Sequence, residues 1–431
     1  MQPIRRINPV FPLRQLLNRF VRRGYLGVID HTGRRHEFGT PGSLPSATVR
    51  LHDPALYRRL GFYPTLHVGR AYVDGTLTIA EKQLSDFLDL LLLNESLARG
   101  SGSSELKRRL GELARLTAVI NLPGRSRRNV HHHYDHDAQF YRCFLDEDLQ
   151  YSCAYYADED LTLEDAQEAK KRHIAAKLDL RPGHRVLDIG CGFGGMALYL
   201  ARHYGVHVTG ITLSTEQLQT ARERAAKQGL SRLVEFRFED YRHTKGTFDR
   251  IVSVGMFEHV GRPHYRQFFS RVAQLLTEDG VAVVHTIGRQ TPPAPINAWI
   301  RENIFPGAYL PTLSQLSPIL EKQGYWLADF ESLRMHYAYT LAEWNRRFQR
   351  NRARVREIDP VRHDERFCRM WEFYLQASEA GFRYSGLTVF QLQLAKKIDA
   401  LPITRDFMFK EERRLMESDA GVPASSRMAG E

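Results

Sequence analysis

The chain has 431 residues, 42% hydrophobic and 26% charged, ordinary globular proportions at a length that suits two domains better than one. Its densest apolar stretch, Phe87 to Leu93, is broken by Asp89, and no run of 18 apolar residues occurs, so transmembrane helices are not expected. The net charge of +11 sits at one end. Of 61 basic and 50 acidic residues, 1–128 hold 21 and 10, leaving 40 of each in the other 303; such a field attracts anionic surfaces, membrane or nucleic acid.

In chain order, residues 12–23 predict a basic amphipathic helix, with Leu13, Leu16, Leu17, Phe20 and Val21 on one face and Arg14, Arg19, Arg22 and Arg23 elsewhere. That pattern fits a helix lying in a membrane interface and equally one packed on its own domain. Short strand-like runs follow, Leu66–Val68 and Leu77–Ile79 among them, then helices over 81–98 and 104–120. The Pro/Gly/basic stretch 121–128 marks an expected boundary, dividing a basic domain 1–128 from a domain 129–414, with a disordered tail over 415–431. From 184 onward strands and helices alternate: strands 185–189, 207–212, 234–238, 248–254 and 281–287, helices 195–204, 215–228 and 263–276. Residues 289–318 read as an irregular insertion, and 326–333 and 388–394 can complete the sheet. This alternation predicts an α/β fold with a mostly parallel sheet. The N-terminus lacks a signal-peptide pattern, and the four cysteines suit neither a disulfide framework nor a metal site, so a cytoplasmic protein without a metal is expected.

The strongest local signal is Val186-Leu-Asp-Ile-Gly-Cys-Gly-Phe-Gly-Gly195, an apolar strand that runs through Asp188 into Gly190, Gly192 and Gly194 and then a helix. Glycines admit a ligand close to the backbone, and the helix start offers free N–H groups. A Gly-x-Gly-x-x-Gly turn alone fits a dinucleotide as well. The phrase around Asp188 resembles the first motif of the class I methyltransferases, in which this loop holds the methionine portion of S-adenosylmethionine. The end of the second strand lacks the usual acid for the ribose hydroxyls; Gln217 and the backbone near Leu213 can serve instead, although Ser214 also suits capping of the next helix.

Six short phrases in order identify a narrower resemblance: His133-Tyr-Asp135 with Tyr151-Ser-Cys-Ala-Tyr155, the glycine loop, Gly210-Ile-Thr-Leu-Ser214 with Gln217, Phe257-Glu-His-Val-Gly261, His285-Thr-Ile287, and His336-Tyr337 before Thr340 and Trp344. Over about residues 129–400 the chain resembles the cyclopropane fatty acid synthases and mycolic acid cyclopropane synthases. His136-Asp-Ala-Gln-Phe140 departs from the family's usual phrase at that place.

The resemblance implies a Rossmann-like methyltransferase domain with a seven-stranded sheet beside a smaller N-terminal α+β domain. It implies S-adenosylmethionine as methyl donor and bicarbonate as base: an alkene attacks the sulfonium methyl, a carbocation forms, and bicarbonate takes a proton as the ring closes. Matching positions for bicarbonate are the Cys153 backbone, Glu258, His285, the Ile287 backbone and Tyr337. Tyr151 and Ser152 would line the cofactor site, and Tyr241 would meet the adenine region. Tyr155, Tyr156, Phe193, Phe257, Trp299 and Tyr309 are candidate aromatic faces for the cation. The N-terminal extension implies an unsaturated fatty acyl phospholipid substrate, attachment to the anionic inner face of the cell membrane in a bacterium, and a possible homodimer.

Each residue also has a plainer reading. Cys153 suits a buried structural cysteine, Glu258 and His259 a helix cap, His285 a satisfied core histidine, and Tyr337 simple packing. Nucleic-acid methylation is disfavoured, since no Asn/Asp-Pro-Pro-Tyr phrase or RNA-binding module is present. A soluble small-molecule substrate and a non-catalytic lipid-binding scaffold are weaker alternatives, and no Ser-His-Asp arrangement is visible. The core motifs do not separate ring closure from methyl branching.

Overall fold

A computed structural model describes residues 10–80, 83–99 and 138–420. The chain divides into two compact units. One draws on Met1–Ala118, Pro295–Pro306 and Leu341–Leu387, the other on Val119–Ala294, Gly307–Thr340 and Thr388–Glu431. The expected division into contiguous domains about residue 128 therefore needs correcting: two later segments, Pro295–Pro306 and Leu341–Leu387, fold with the N-terminal part. Their buried aromatics explain it, for Trp299 packs edge-on against Phe373 at 4.7 Å and Phe373 against Tyr72 at 5.7 Å. The stretch 121–128 and the helix expected over 104–120 lie outside the described residues.

The first unit carries a four-stranded sheet ordered β2-β1-β3-β4, built from β1 (Tyr25–Ile29), β2 (Arg35–Gly39), β3 (Ser46–Leu51) and β4 (Leu77–Ile79). Residues 64–73 form a helix where the sequence suggested a strand over Leu66–Val68. Pro64 stands at the first helical position, where its missing N–H costs nothing, and Leu66, Gly69, Tyr72 and Val73 are buried at helical spacing. The helix expected over 12–23 spans Val10–Phe20. Leu13 and Val21 are buried within the unit and Leu16 is exposed, so part of the apolar stripe is already packed. Asn94, on helix Leu84–Arg99, fastens this end of the chain. Its Oδ1 accepts from the amides of Arg22 and Arg23 at 2.7 and 3.0 Å, and its Nδ2 donates to the Arg23 carbonyl at 2.8 Å.

The second unit holds a seven-stranded, mostly parallel sheet, as expected. Its strands are β5 (Arg185–Ile189), β6 (His207–Thr212), β7 (Val234–Phe238), β8 (Phe248–Val254), β9 (Leu276–Arg289), β10 (Trp326–Ser332) and β11 (Leu387–Ala395), ordered β10-β11-β9-β8-β5-β6-β7. Strands β5 to β9 pair in parallel and β10 runs antiparallel to β11. Alternate residues feed two cores. Val186, Val208, Val252 and Val283 face helices Leu163–Lys177 and Gly195–Tyr204, while Leu187, Ile211, Ile251 and Val284 face Tyr265–Leu275. The chain leaves β5 toward β6 on one side and later returns to β8 on the other, which opens a crevice at the strand C-termini. The tail expected to be disordered from 415 is helical to Ala420, because Leu415 is wholly buried in the core. Among the described residues no helix is long and apolar enough to cross a membrane.

Candidate active site

A cleft partly open to solvent lies in the second unit. Its walls come from the segments after four neighbouring strands: Asp188 to Phe193 after β5, Thr212 and Leu213 after β6, Glu239 to Arg242 after β7, and Val254 to Met256 after β8. Leu149 to Ser152 close another side. Of the residues expected to hold the cofactor, Tyr151, Ser152, Asp188, Gly190, Gly192, Leu213, Gln217 and Tyr241 line this cleft.

Gly194 does not line it. It caps helix Gly195–Tyr204 at φ +84, and a Cβ there would meet Phe236 at 2.6 Å, so its glycine serves helix–strand packing. Gly190 has the same requirement at φ +83, where a Cβ would strike Met256 at 2.7 Å. Gln217 is held by Ser214, which caps its helix, while Gln217 Oε1 accepts from Thr212 Oγ1 at 2.9 Å.

Two carboxyls shape the cleft's electrostatics. Asp188 is wholly buried and its Oδ2 has no donor among the described residues; burial pushes it up to about 7, against the partly opposing charge of Lys170. Beyond β7, burial opposes ionisation of Asp240, but hydrogen bonds from Arg242 prevail and hold its carboxyl below the usual range. Tyr241 packs edge-on against Phe268 at 5.4 Å, and burial raises its phenol to about 12. Burial lowers His259 on the same wall to about 4, leaving it neutral. Glu239, Asp240, Arg242, Met256, His259 and His264 were not singled out as cofactor contacts; the phrase Phe257–Gly261 contains His259 but points to Glu258 and to helix capping.

The residues expected at the bicarbonate site do not line this cleft; Cys153, Glu258, His285 and Tyr337 are buried and Ile287 is half-buried. Glu258, two residues beyond Met256, accepts from the Ile287 amide through Oε1 at 2.6 Å, while its Oε2 has no donor. Burial raises its carboxyl to about 7. The Ile287 N–H, expected to face an anion, is thus occupied by Glu258. His285 Nδ1 shares a buried hydrogen bond with the Gln391 side-chain amide, 3.2 Å away. Burial, helped by Lys170 and Lys177, keeps this imidazole neutral. Cys153 donates its thiol hydrogen to the Ala154 carbonyl at 3.3 Å, and burial pushes the thiol well up. Ala154 N donates to Thr340 Oγ1 at 3.1 Å, which ties Cys153 to the start of the helix bearing buried Tyr337. Glu258 and Ile287 are therefore in direct contact, and Ala154 and Thr340 link the neighbourhoods of Cys153 and Tyr337.

The candidate aromatics scatter. Phe193 lines the cleft. Phe257 stacks on Tyr265 at 4.5 Å, Tyr309 packs against Tyr265, and Tyr155 lies between His173 and His336 at 4.2 and 5.0 Å. Tyr156 meets Tyr339 edge-on, and Trp299 belongs to the first unit.

The family model described as mycolic acid cyclopropane synthetase matches residues 123–392. The cyclopropane-fatty-acyl-phospholipid synthase of Escherichia coli is 35% identical over 362 residues, 83% of this chain and 90% of that one. The tuberculostearic acid methyltransferase of Mycobacterium tuberculosis is 34% identical over 366 residues, 80% of this chain and 83% of that one. A mycolic acid cyclopropane synthase solved with SAH and CTAB superposes with a TM-score of 0.59 at 32% identity, covering 62% of this chain and 97% of that one.

Proposed function

Because the chain belongs to the mycolic acid cyclopropane synthetase family and is an S-adenosylmethionine-dependent methyltransferase of the cyclopropane-fatty-acyl-phospholipid synthase type, we propose that it converts the double bond of an unsaturated acyl chain in membrane phospholipid into a cyclopropane ring. The observation that carries the phospholipid reading is coverage. The likeness to the phospholipid enzyme extends over 83% of the chain, that to the mycolic acid enzyme over 62%, and the additional matched length falls in a chain whose excess charge of +11 lies in residues 1–128. A basic N-terminal part suits an anionic bilayer.

S-adenosylmethionine, when bound, supplies a methyl group on a sulfonium, electrophilic enough for an alkene to attack. Asp188, buried with a free oxygen, offers a carboxylate to a cation in the cleft, and the glycine turn gives backbone room. Glu258, the His285 imidazole and the Tyr337 hydroxyl are the groups that would hold bicarbonate, which supplies the base. A carboxyl that titrates near neutrality can present either a proton or a lone pair to such an anion. The neutral, wholly buried Cys153 thiol leaves no competing nucleophile there. Orientation of a weakly nucleophilic alkene against the methyl supplies the rest.

A second reading, methyl transfer without ring closure, is favoured by the likeness to the tuberculostearic acid enzyme over 80% of the chain. Mass spectrometry and proton NMR of fatty acids from a host with and without this chain decide between them. A gain of one CH₂ with cyclopropyl signals supports ring closure, the same gain without them supports branching, and no gain overturns both.

A further inference from the structure

Helix Leu163–Lys177 carries a buried cation that the mechanism above does not use. Lys170 is wholly buried, and its Nζ donates to Gln150 Oε1 at 2.5 Å and to Ser152 Oγ at 2.9 Å. Both acceptors belong to residues that line the cleft. The charged and titratable groups in its field are Asp146 and Asp148 from the preceding segment, Cys153, Asp188 on β5, His285 on β9, and Lys171 on its own helix.

An ammonium has three donors and no acceptor, so Ser152 Oγ receives a hydrogen from Lys170 and must direct its own elsewhere. Among the described residues no protein group accepts it. A hydroxyl that accepts from a buried ammonium is a strengthened donor, and its best partner is an anion. S-adenosylmethionine carries one anionic group, the carboxylate of its amino-acid end, beside an ammonium that suits Asp188.

We infer that Lys170 and Ser152 form the subsite for that carboxylate, with Lys170 a positioning residue that makes the serine hydroxyl a donor toward the cleft. Asp188 and the Lys170–Ser152 pair together then recognise a zwitterion. This assignment rests on the reading of the cleft as the methyl-donor site.

The test compares binding of S-adenosylmethionine with its decarboxylated form, which keeps the sulfonium, adenosine and ammonium. The wild-type protein favours the intact donor, and Ser152→Ala and Lys170→Met each cut that preference about tenfold or more, the range of one charge-assisted hydrogen bond. Burial lowers Lys170 to about 8, so the wild-type preference also falls as pH rises through that value. Should Lys170→Met fail to fold, Ser152→Ala and the wild-type titration still decide. A preference unchanged in Ser152→Ala, or lost equally for both ligands, overturns the subsite. Failure of the wild-type protein to bind either ligand overturns the methyl-donor reading itself.

Discussion

Two carboxyl environments in the second unit stand in contrast, the half-buried Asp148 and the fully buried Asp188 and Glu258. Asp148, in the segment before Tyr151, is held by Lys171 at 2.8 Å and by Arg224, whose Nη1 also donates to the Phe193 carbonyl of the glycine loop at 2.7 Å. Burial opposes its ionisation, yet these two cations keep its carboxyl far below the usual range. Asp188 and Glu258, at the end of β5 and just beyond β8, are more deeply buried, each has one oxygen with no donor among the described residues, and each rises to about 7. A carboxyl with every lone pair answered braces the fold. One buried with an unanswered oxygen costs stability that only a ligand or a reaction recovers.

That contrast can be broken at four points. Glu258→Gln should have the largest effect, a loss of about a thousandfold in turnover, in the range of general acid–base groups, with donor affinity within about threefold of wild type. Lipid turnover and calorimetry measure the two; a fully active variant would remove Glu258 from the chemistry. Next, Asp148→Ala removes the carboxylate shared by Lys171 and Arg224, leaving Lys171 with Glu168 and Arg224 with the Phe193 carbonyl, and should cost about 2 kcal/mol of stability, read from urea unfolding. An unchanged midpoint would deny it the bracing role.

Third, Asp188→Asn should weaken S-adenosylmethionine binding about tenfold to a hundredfold, as expected for a lost charge-assisted bond. Because the cation prefers the carboxylate form, wild-type affinity should fall as pH drops below about 7, and the variant should lose that dependence. The stability sign is opposite. The folded-state pKa values of Asp188 and Glu258 are raised, so the stabilisation they contribute is complete below their ordinary values near 4 and is lost as pH rises through about 7. A ligand-free protein whose stability does not decline over that window contradicts both assignments. Smallest is Cys153→Ser, expected to retain activity within about tenfold because a neutral buried thiol supplies packing more than chemistry. Complete loss in a folded variant would give the thiol a direct role.

Helix Leu163–Lys177 shows where reading the sequence stopped short. Its Glu-Asp-Ala-Gln-Glu-Ala-Lys-Lys-Arg-His run looks like a solvated face, yet Lys170, Lys171, His173 and Lys177 are all buried. Each is answered from a distant part of the chain: Lys171 by Asp148, His173 by Glu331 and Glu412, Lys177 by Asp329 and Glu331. Charge patterning records only neighbours along a helix, so pairs formed across the fold leave no signal in it. The glycine loop was legible for the opposite reason. Its strand, turn and helix start are contiguous, and Asp188, Gly190 and Gly192 reach the cleft by local geometry alone.

What the sequence by itself determined is the order of β5 to β9, the placing of Asp188, Glu258 and His285 at or near strand ends, and the basic character of residues 1–128. Those follow from period-two burial, glycine punctuation and composition, all local properties. The tertiary structure alone decided that Pro295–Pro306 and Leu341–Leu387 fold with the N-terminal unit, that Gly194 packs against Phe236, that Glu258 takes the Ile287 amide, and that Lys170 stands behind Ser152. Each depends on which distant atom fills a space or answers a buried polar group, and that is settled only when the whole chain packs.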